Sequence, residues 1–374
     1  MRVLVNATLA GSKSSGLGHY IISLLSELKE FPIDIAVLAT HPELFSGEFE
    51  TIPVKGPLGP EHGGKSNRLR YIWIQTGLRG SLRRLQPNLL LMPTHEVLLG
   101  SPVPQIVVIH DIIPFLFPAD HRFLGKYYSF VLPHALRTSA KKIITVSSST
   151  RDDLIKHYRL QEDKVIAILS GPGLDLGFDD LEQETPEHFI LYVGRIAPYK
   201  NLTGLVEALS ILRDSLPHHL VIAGAGSPDN QRFISPLLER AERGGVADRI
   251  RFLDYVPSSQ LGTLYKKASV LVLPSFYEGF GFPPLEAMRC GTPVAVSRIP
   301  ALVETVGDAG FFFEPDEPTD IARAIRAVLV DNSLRERLIR EGFRRSGDFS
   351  WKKTAGKLYE VLLEAAGETL ESLR

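Results

Sequence analysis

The sequence predicts an α/β protein made of two doubly wound domains, each a parallel sheet covered by helices. Three observations carry this reading. The chain has 374 residues, more than one domain usually holds, so two are expected. Short β-rich apolar runs alternate with helical patterns, and the alternation occurs twice. Most of these runs are continuous in apolar residues, which suits strands buried on both faces.

In the first half the expected strands are 2–9, 33–40, 88–93, 104–110, 141–147 and 164–169; in the second they are 188–194, 219–224, 249–256, 268–274, 293–297 and 309–314. Between the halves, Gly171-Pro172-Gly173 interrupts regular structure, and the acidic stretch from Asp179 to Glu187 precedes a new strand at His188. This divides the chain into domains at 1–175 and 176–352. The tail, 353–374, reads as a helix with Leu358, Val361, Leu362 and Ala365 on one face. Another helix is expected from near Arg151, with Thr150 and Asp153 spaced as a capping box.

Composition narrows the function classes. The chain is 44% hydrophobic and 23% charged, ordinary for a soluble globular protein. A net charge of −1 argues against a general nucleic-acid-binding role. One cysteine, Cys290, excludes an internal disulfide framework and fits a reducing cytoplasm. No apolar run approaches the roughly 18 residues that span a bilayer, and Met1-Arg2 leads straight into Val3–Val5 without a leader pattern. A cytoplasmic location is expected, with room for contact at the inner face of the membrane. The stretch 61–85 sets Lys65, Arg68, Arg70, Arg79, Arg83 and Arg84 against Glu61, interleaved with Tyr71, Trp73, Leu78, Leu82 and Leu85. It reads as a surface helix, a landing site for anionic lipid, or a site for a phosphate-bearing acceptor.

Two segments point to chemistry. In Glu278-Gly-Phe-Gly-Phe-Pro-Pro-Leu-Glu286, Gly279 and Gly281 let a loop turn tightly and present backbone N–H groups. Pro283 and Pro284 suit a first helical turn, and Gly291 and Pro293 stop that helix. A glycine-bearing loop opening a helix at the carboxyl end of a strand is an anion site. Glu286, expected in the first turn, either accepts hydrogen bonds from ribose hydroxyls or complements the helix dipole. The second segment, Gly194-Arg195-Ile-Ala-Pro-Tyr-Lys200-Asn201, also lies between a strand and a helix. Arg195 and Lys200 are either solvated surface charges or cations for a diphosphate on which charge develops as a sugar leaves.

Gly-Arg-x4-Lys-Asn, followed by Glu-Gly-Phe-Gly with two glutamates separated by seven residues, resembles glycosyltransferase family 4. Ser15-Gly16-Leu17-Gly18-His19-Tyr20 is similar to its first glycine loop. His110-Asp111-Ile-Ile-Pro114, Ile144-Thr-Val-Ser147 and Ser350-Trp351 resemble its mannosyltransferase-like branch. The likeness spans essentially the whole chain. It implies the GT-B fold, two Rossmann-like domains facing each other across a cleft, with the acceptor on the first and a nucleotide-sugar donor on the second. It also implies that the tail helix crosses back onto the first domain. By the same resemblance Arg195 and Lys200 hold the diphosphate and Glu286 binds ribose. Glu278 faces the transferred sugar, and the backbone of Gly279, Phe280, Gly281 and Phe282 contacts its hydroxyls. Gly16 lets the first loop approach the diphosphate, Val256 borders the nucleobase, and His110 lies at the reacting centre. His110 also reads as a structural histidine at a strand end.

The activity so implied is retaining transfer of a hexose, GDP-mannose being favoured as donor, to a hydroxyl of a sugar or glycolipid. Two carboxylates also suit a glycosidase-like pair, with Glu278 as covalent nucleophile; placing Glu286 on ribose argues against it. No metal or other cofactor is expected, because no Asp-x-Asp pair occurs and the histidines lack zinc spacing. Other readings are a UDP-glucose-dependent transferase making a disaccharide or its phosphate, as in sucrose-phosphate synthase relatives, a nucleotide-sugar 2-epimerase, or a non-catalytic binder on the same fold. The first usually carries longer N-terminal motifs. The second does not need Glu-x7-Glu, and the third should have lost Arg195, Lys200 or Glu278.

Overall fold

The computed structural model describes residues 1–11, 16–173, 175–224 and 231–368. The apolar runs form thirteen strands among these residues: β1 Arg2–Asn6, β2 Asp34–Ala39, β3 Glu50–Pro53, β4 Leu89–Met92, β5 Gln105–Ile109, β6 Lys142–Thr145, β7 Val165–Ala167, β8 Phe189–Val193, β9 His219–Ala223, β10 Ile250–Leu253, β11 Val270–Leu273, β12 Val294–Ser297 and β13 Gly310–Phe313. The first seven make one parallel sheet in the order β3-β2-β1-β4-β5-β6-β7, and the last six make a second, β10-β9-β8-β11-β12-β13. Central strands are buried along their length, as in Leu89–Met92 and Val270–Leu273. Side chains on both faces must therefore be apolar, which is why the runs do not alternate.

The chain divides into two compact units, Met1–Gly171 with Ser350–Arg374, and Pro172–Phe349. The Trp351–Ala366 helix belongs to the first unit, where it packs on the Gly16–Leu28 helix. Its N-cap Ser350 accepts a hydrogen bond from Lys353 N, and Gly367 closes it in the left-handed conformation. Leu358, Val361, Leu362 and Ala365 are all buried, each large one stabilising the unit by about 1.5–3 kcal/mol.

Several local expectations needed correction. β3 was not expected; Glu-Thr-Ile-Pro is short and polar, and its proline is tolerated because the strand lies at the sheet edge. The run expected as strand 2–9 ends at Asn6, where Ala10 N bonds to Ala7 O in a turn. The run 249–256 ends at Leu253, followed by exposed Asp254 and Tyr255. The helix expected near Arg151 spans Ser148–Tyr158, and its cap is Ser147, whose Oγ accepts from Thr150 N at 3.1 Å. Extended backbone at Ser147 makes it the cap, so Thr150 occupies the third helical position and not the cap position expected for it.

The basic stretch 61–85 is largely the Gly63–Leu85 helix. Arg70 is not on its surface. It is 1% exposed and paired with fully buried Glu96. Its other nitrogens reach Leu58 O at 3.1 Å and Asn67 Oδ1 at 2.8 Å. Glu96 also accepts from Asn6 Nδ2 at 3.1 Å. The pair thus ties this helix to the carboxyl ends of β1 and β4. The side chain of Lys65 and all of Ser15 lie outside the described residues.

Candidate functional site

In an open parallel sheet, ligands bind beyond the carboxyl ends of strands where the winding direction reverses. In the second unit that point lies between β8 and β11. Gly194 and Arg195 follow β8; the loop from Pro274 to Gly281 follows β11. Both motifs singled out in the sequence therefore meet at one sheet edge. Phe276 N donates to Tyr199 O at 2.8 Å and joins the two loops directly.

The chemistry concentrates on Glu278. Its Oε1 accepts from Lys200 Nζ at 2.6 Å and from Ser275 Oγ at 2.6 Å, and Lys200 and Glu278 are both largely buried. A buried ion pair holds when further hydrogen bonds satisfy it, and Ser275 supplies one. Lys200 also lies 5.3 Å from the centre of the Tyr199 ring. Arg195 remains exposed. Tyr192 fixes its backbone, donating from Oη to Arg195 O at 2.6 Å. Asn201, the other half of the Lys-Asn pair, has a structural task. In the left-handed conformation it caps the Leu202–Leu212 helix by accepting from Gly204 N at 3.2 Å.

Gly281 has φ +104° and caps the Phe282–Arg289 helix; a side chain there would also meet Leu302 Cδ2 at 2.6 Å. Phe280 is a core residue, and its carbonyl accepts from Thr305 Oγ1 at 2.6 Å. Gly279 is buried in the same loop, and Phe282 is half-buried and packs edge-on to Phe280. The helix ends as expected at Gly291, where Thr292 N reaches Ala287 O and Gly291 N reaches Met288 O.

Glu286 is not in the first turn. The helix begins at Phe282, which puts Glu286 in the second turn, where the dipole contributes little. It is buried, and Tyr265 Oη donates to its Oε2 at 2.6 Å. Burial holds the Tyr265 phenol well above its usual range, so it stays a donor. Gly173, beside Glu286, has no room for a Cβ, which would lie 1.9 Å from Glu286 Oε1. Tyr265, Ser275 and Gly173 were missed in the sequence. Gly173 left a trace as a chain breaker. Tyr265 left none, because a core-facing tyrosine on the Ser258–Lys267 helix reads as packing. Val256 is half-buried in the loop between β10 and that helix, after an edge strand. Burial raises the Cys290 thiol to about 11, which disfavours its thiolate.

The first unit has its own reversal point between β1 and β4. There Asn6, Thr8, Thr94 and Glu96 form a buried polar network, with Thr8 Oγ1 donating to Asn6 Oδ1 at 2.8 Å. His110 follows neighbouring β5. Its Nε2 is 2.9 Å from Pro93 O, so this nitrogen carries the proton and Nδ1 is an acceptor. The Gly16–Leu28 helix brings Tyr20 edge-on to His110 at 4.5 Å between ring centres, and Trp351 to Tyr20 at 5.3 Å. Gly16 starts this helix, and nothing among the described residues lies within 4 Å of where its Cβ would be. Among the described residues, nothing around this position requires glycine.

His110 and His95 make stability pH-dependent. Burial lowers His110 to about 4, against the opposing pull of its Pro93 hydrogen bond. Burial, then Arg70 and His110, lower His95 to about 3. The unfolded chain takes up these protons first, near pH 6.5. Stability from these groups is complete above that pH and is lost as pH falls towards 4, by about 1.4 kcal/mol per pH unit for each histidine. Both tryptophans, Trp73 and Trp351, lie in the first unit, so their fluorescence reports its unfolding. The urea midpoint is expected to drop between pH 7 and 5, and to drop less in His110→Gln. An identical pH slope in that variant would exclude His110 as a source.

Two parallel doubly wound units, one with a cation–carboxylate pair at its reversal point, are the architecture of the GT-B fold. The sucrose-phosphate synthase of Thermosynechococcus elongatus shares the fold, with a TM-score of 0.77 over 97% of this chain and 99% of that one, at 21% identity. The model of the family "Glycosyltransferase Family 4" matches residues 14–172, and that of "Glycosyl transferases group 1" matches residues 178–345. O-antigen chain mannosyltransferase B of Escherichia coli is 34% identical over 258 residues, 66% of this chain and 67% of the relative. O-antigen chain mannosyltransferase RfbU of Salmonella typhimurium is 29% identical over 335 residues, 87% and 90% of the two chains. The chain belongs to glycosyltransferase family 4 and is a glycosyltransferase.

Proposed function

We propose that this glycosyltransferase moves a hexose from a nucleotide diphosphate sugar, GDP-mannose above others, to a hydroxyl of a sugar or glycolipid, with retention at the anomeric carbon. The observation that carries the reading is the buried Lys200–Glu278 pair at the reversal point of the second unit. A fixed ammonium beside a carboxylate suits a group that must meet both an anionic leaving group and a polar sugar. The mannosyltransferase names of both relatives favour mannose.

In this reading Lys200 and Arg195 hold the diphosphate. Glu286, held by Tyr265, accepts from the ribose hydroxyls; Val256 borders the base, and Gly16 faces the phosphates. Glu278 and the N–H groups of Gly279, Phe280, Gly281 and Phe282 orient the sugar. The bond from the anomeric carbon to phosphate oxygen breaks as that from acceptor oxygen forms on the same face, and the acceptor proton passes to the departing diphosphate. Glu278 Oε1 already accepts two hydrogen bonds, which suits electrostatic support better than covalent attack. Neutral His110, its Nε2 committed, offers Nδ1 to a sugar hydroxyl. In this reading Lys200 and Arg195 supply the positive charge that a metal would otherwise bring to the diphosphate.

The test is a donor panel of GDP-mannose, UDP-glucose, UDP-galactose, UDP-N-acetylglucosamine and ADP-glucose. Released nucleoside diphosphate is measured with and without acceptor sugars and with excess EDTA. GDP release that survives EDTA is expected. Preferential UDP release, raised by a hexose phosphate, would overturn the mannose assignment, and no release from any donor would overturn the donor reading. Tyr265→Phe removes one donor from buried Glu286, so a loss of about 1–3 kcal/mol in stability is expected, with weaker GDP binding. Unchanged GDP affinity would detach Glu286 from the ribose.

A further inference from the structure

The first unit carries a second feature that the transfer reaction does not use. The Gly63–Leu85 helix contains no Asp or Glu, and neither does the segment 121–151. The two pack together: Tyr71 lies 5.8 Å from Phe123 and 4.2 Å from Tyr127, ring centre to ring centre. Around this junction is an open cavity of about 780 Å³, lined by Arg68, Phe123, Lys126, Ser129 and Phe130 among others. Arg68 lies 5.3 Å from the centre of the Phe123 ring, which holds its guanidinium at the cavity wall.

Large apolar side chains stand exposed beside these cations. Phe130, on the π-helical turn Tyr127–Val131, is 77% exposed, and Ile72, one helical turn beyond Arg68, is 61% exposed. Leu69 and Val131 are exposed next to them. A soluble surface scatters such residues singly. Here they are grouped and set among basic residues, with Glu61, the nearest acid before the helix, turned to His41 and His62. Asp120, beside the cavity residue Pro118, is the one acid next in sequence to the patch on the other side.

We propose that this face docks on an anionic lipid bilayer. Arg68 and Lys126 take headgroup phosphates, while Phe130 and Ile72 enter the boundary between headgroups and acyl chains. Arg70, buried against Glu96, takes no part. The proposal stands independently of which sugar the second unit accepts.

The experiment is co-sedimentation of the full chain with vesicles of phosphatidylcholine alone and of phosphatidylcholine with phosphatidylglycerol, at low and raised salt. Binding is expected only with phosphatidylglycerol, and weaker in salt. Arg68→Glu with Lys126→Glu should weaken it by roughly tenfold or more, and Phe130→Ser should weaken it at both salt concentrations, with urea midpoints unchanged. A wild-type chain left in the supernatant by anionic vesicles would overturn the proposal, as would variants that bind like wild type. A concentration-dependent dimer lost in Phe130→Ser, with vesicle binding intact, would instead assign the face to a second copy of the chain.

Discussion

Lys200→Ala is expected to slow transfer by about 10²–10³-fold, the usual cost of removing one preorganised group from developing charge. Two effects are mixed in that number. The variant removes a cation from the proposed diphosphate site, and it leaves the Glu278 carboxylate buried with Ser275 as its remaining hydrogen-bond donor among those described above. Adding Glu278→Gln separates them. The neutral amide tolerates loss of the ammonium, so the double variant should regain stability while GDP affinity stays low. Isothermal titration with GDP and urea unfolding, run side by side on the wild type and the two variants, read the two effects. If the double variant binds GDP like wild type, Lys200 is a partner for Glu278 and not a phosphate ligand.

Glu96→Ala is the change expected to damage the fold most. It strands the Arg70 guanidinium in a site that is 1% exposed, and breaking a buried pair from one side costs about 3–5 kcal/mol. It also removes the acceptor for Asn6 Nδ2. Tryptophan fluorescence during urea unfolding would show the loss in the first unit, and GDP binding to the second should persist if that unit folds by itself. Replacing both residues by methionine should recover much of the stability, because the desolvation cost disappears with the charges. A loss below about 1 kcal/mol in Glu96→Ala would class the pair with exposed ion pairs, despite its burial.

What the sequence made legible follows from the physics of each element. Strands buried on both faces announce themselves as apolar runs, so twelve were recognisable. The thirteenth, at Glu50–Pro53, carries edge-strand chemistry and looks like loop. Gly281 and Gly291 were readable because turn geometry restricts residue type. Lys200 and Glu278 were readable as site residues, but not as partners, because 78 residues separate them and only the order β9-β8-β11 brings their loops together. Arg70 was misjudged for the same reason. An arginine among arginines looks exposed until the glutamate that buries it, 26 residues on, is placed beside it. Tyr265 shows the limit, since nothing local distinguishes a hydroxyl that holds a carboxylate from one that merely reaches solvent.

The return of the last helix to the first unit sets an order of events during synthesis. Residues 1–171 leave the ribosome early, but the surface that receives Leu358, Val361 and Leu362 has no cover until the end of the chain follows. The unit begun first is therefore completed last. The second unit is contiguous from Pro172 to Phe349 and can close while its predecessor waits with an apolar face open. A ribosome stalled near codon 349 would hold a finished second unit beside an unfinished first one. Such nascent chains should recruit holding chaperones through residues of the first unit, and release them once the final helix emerges.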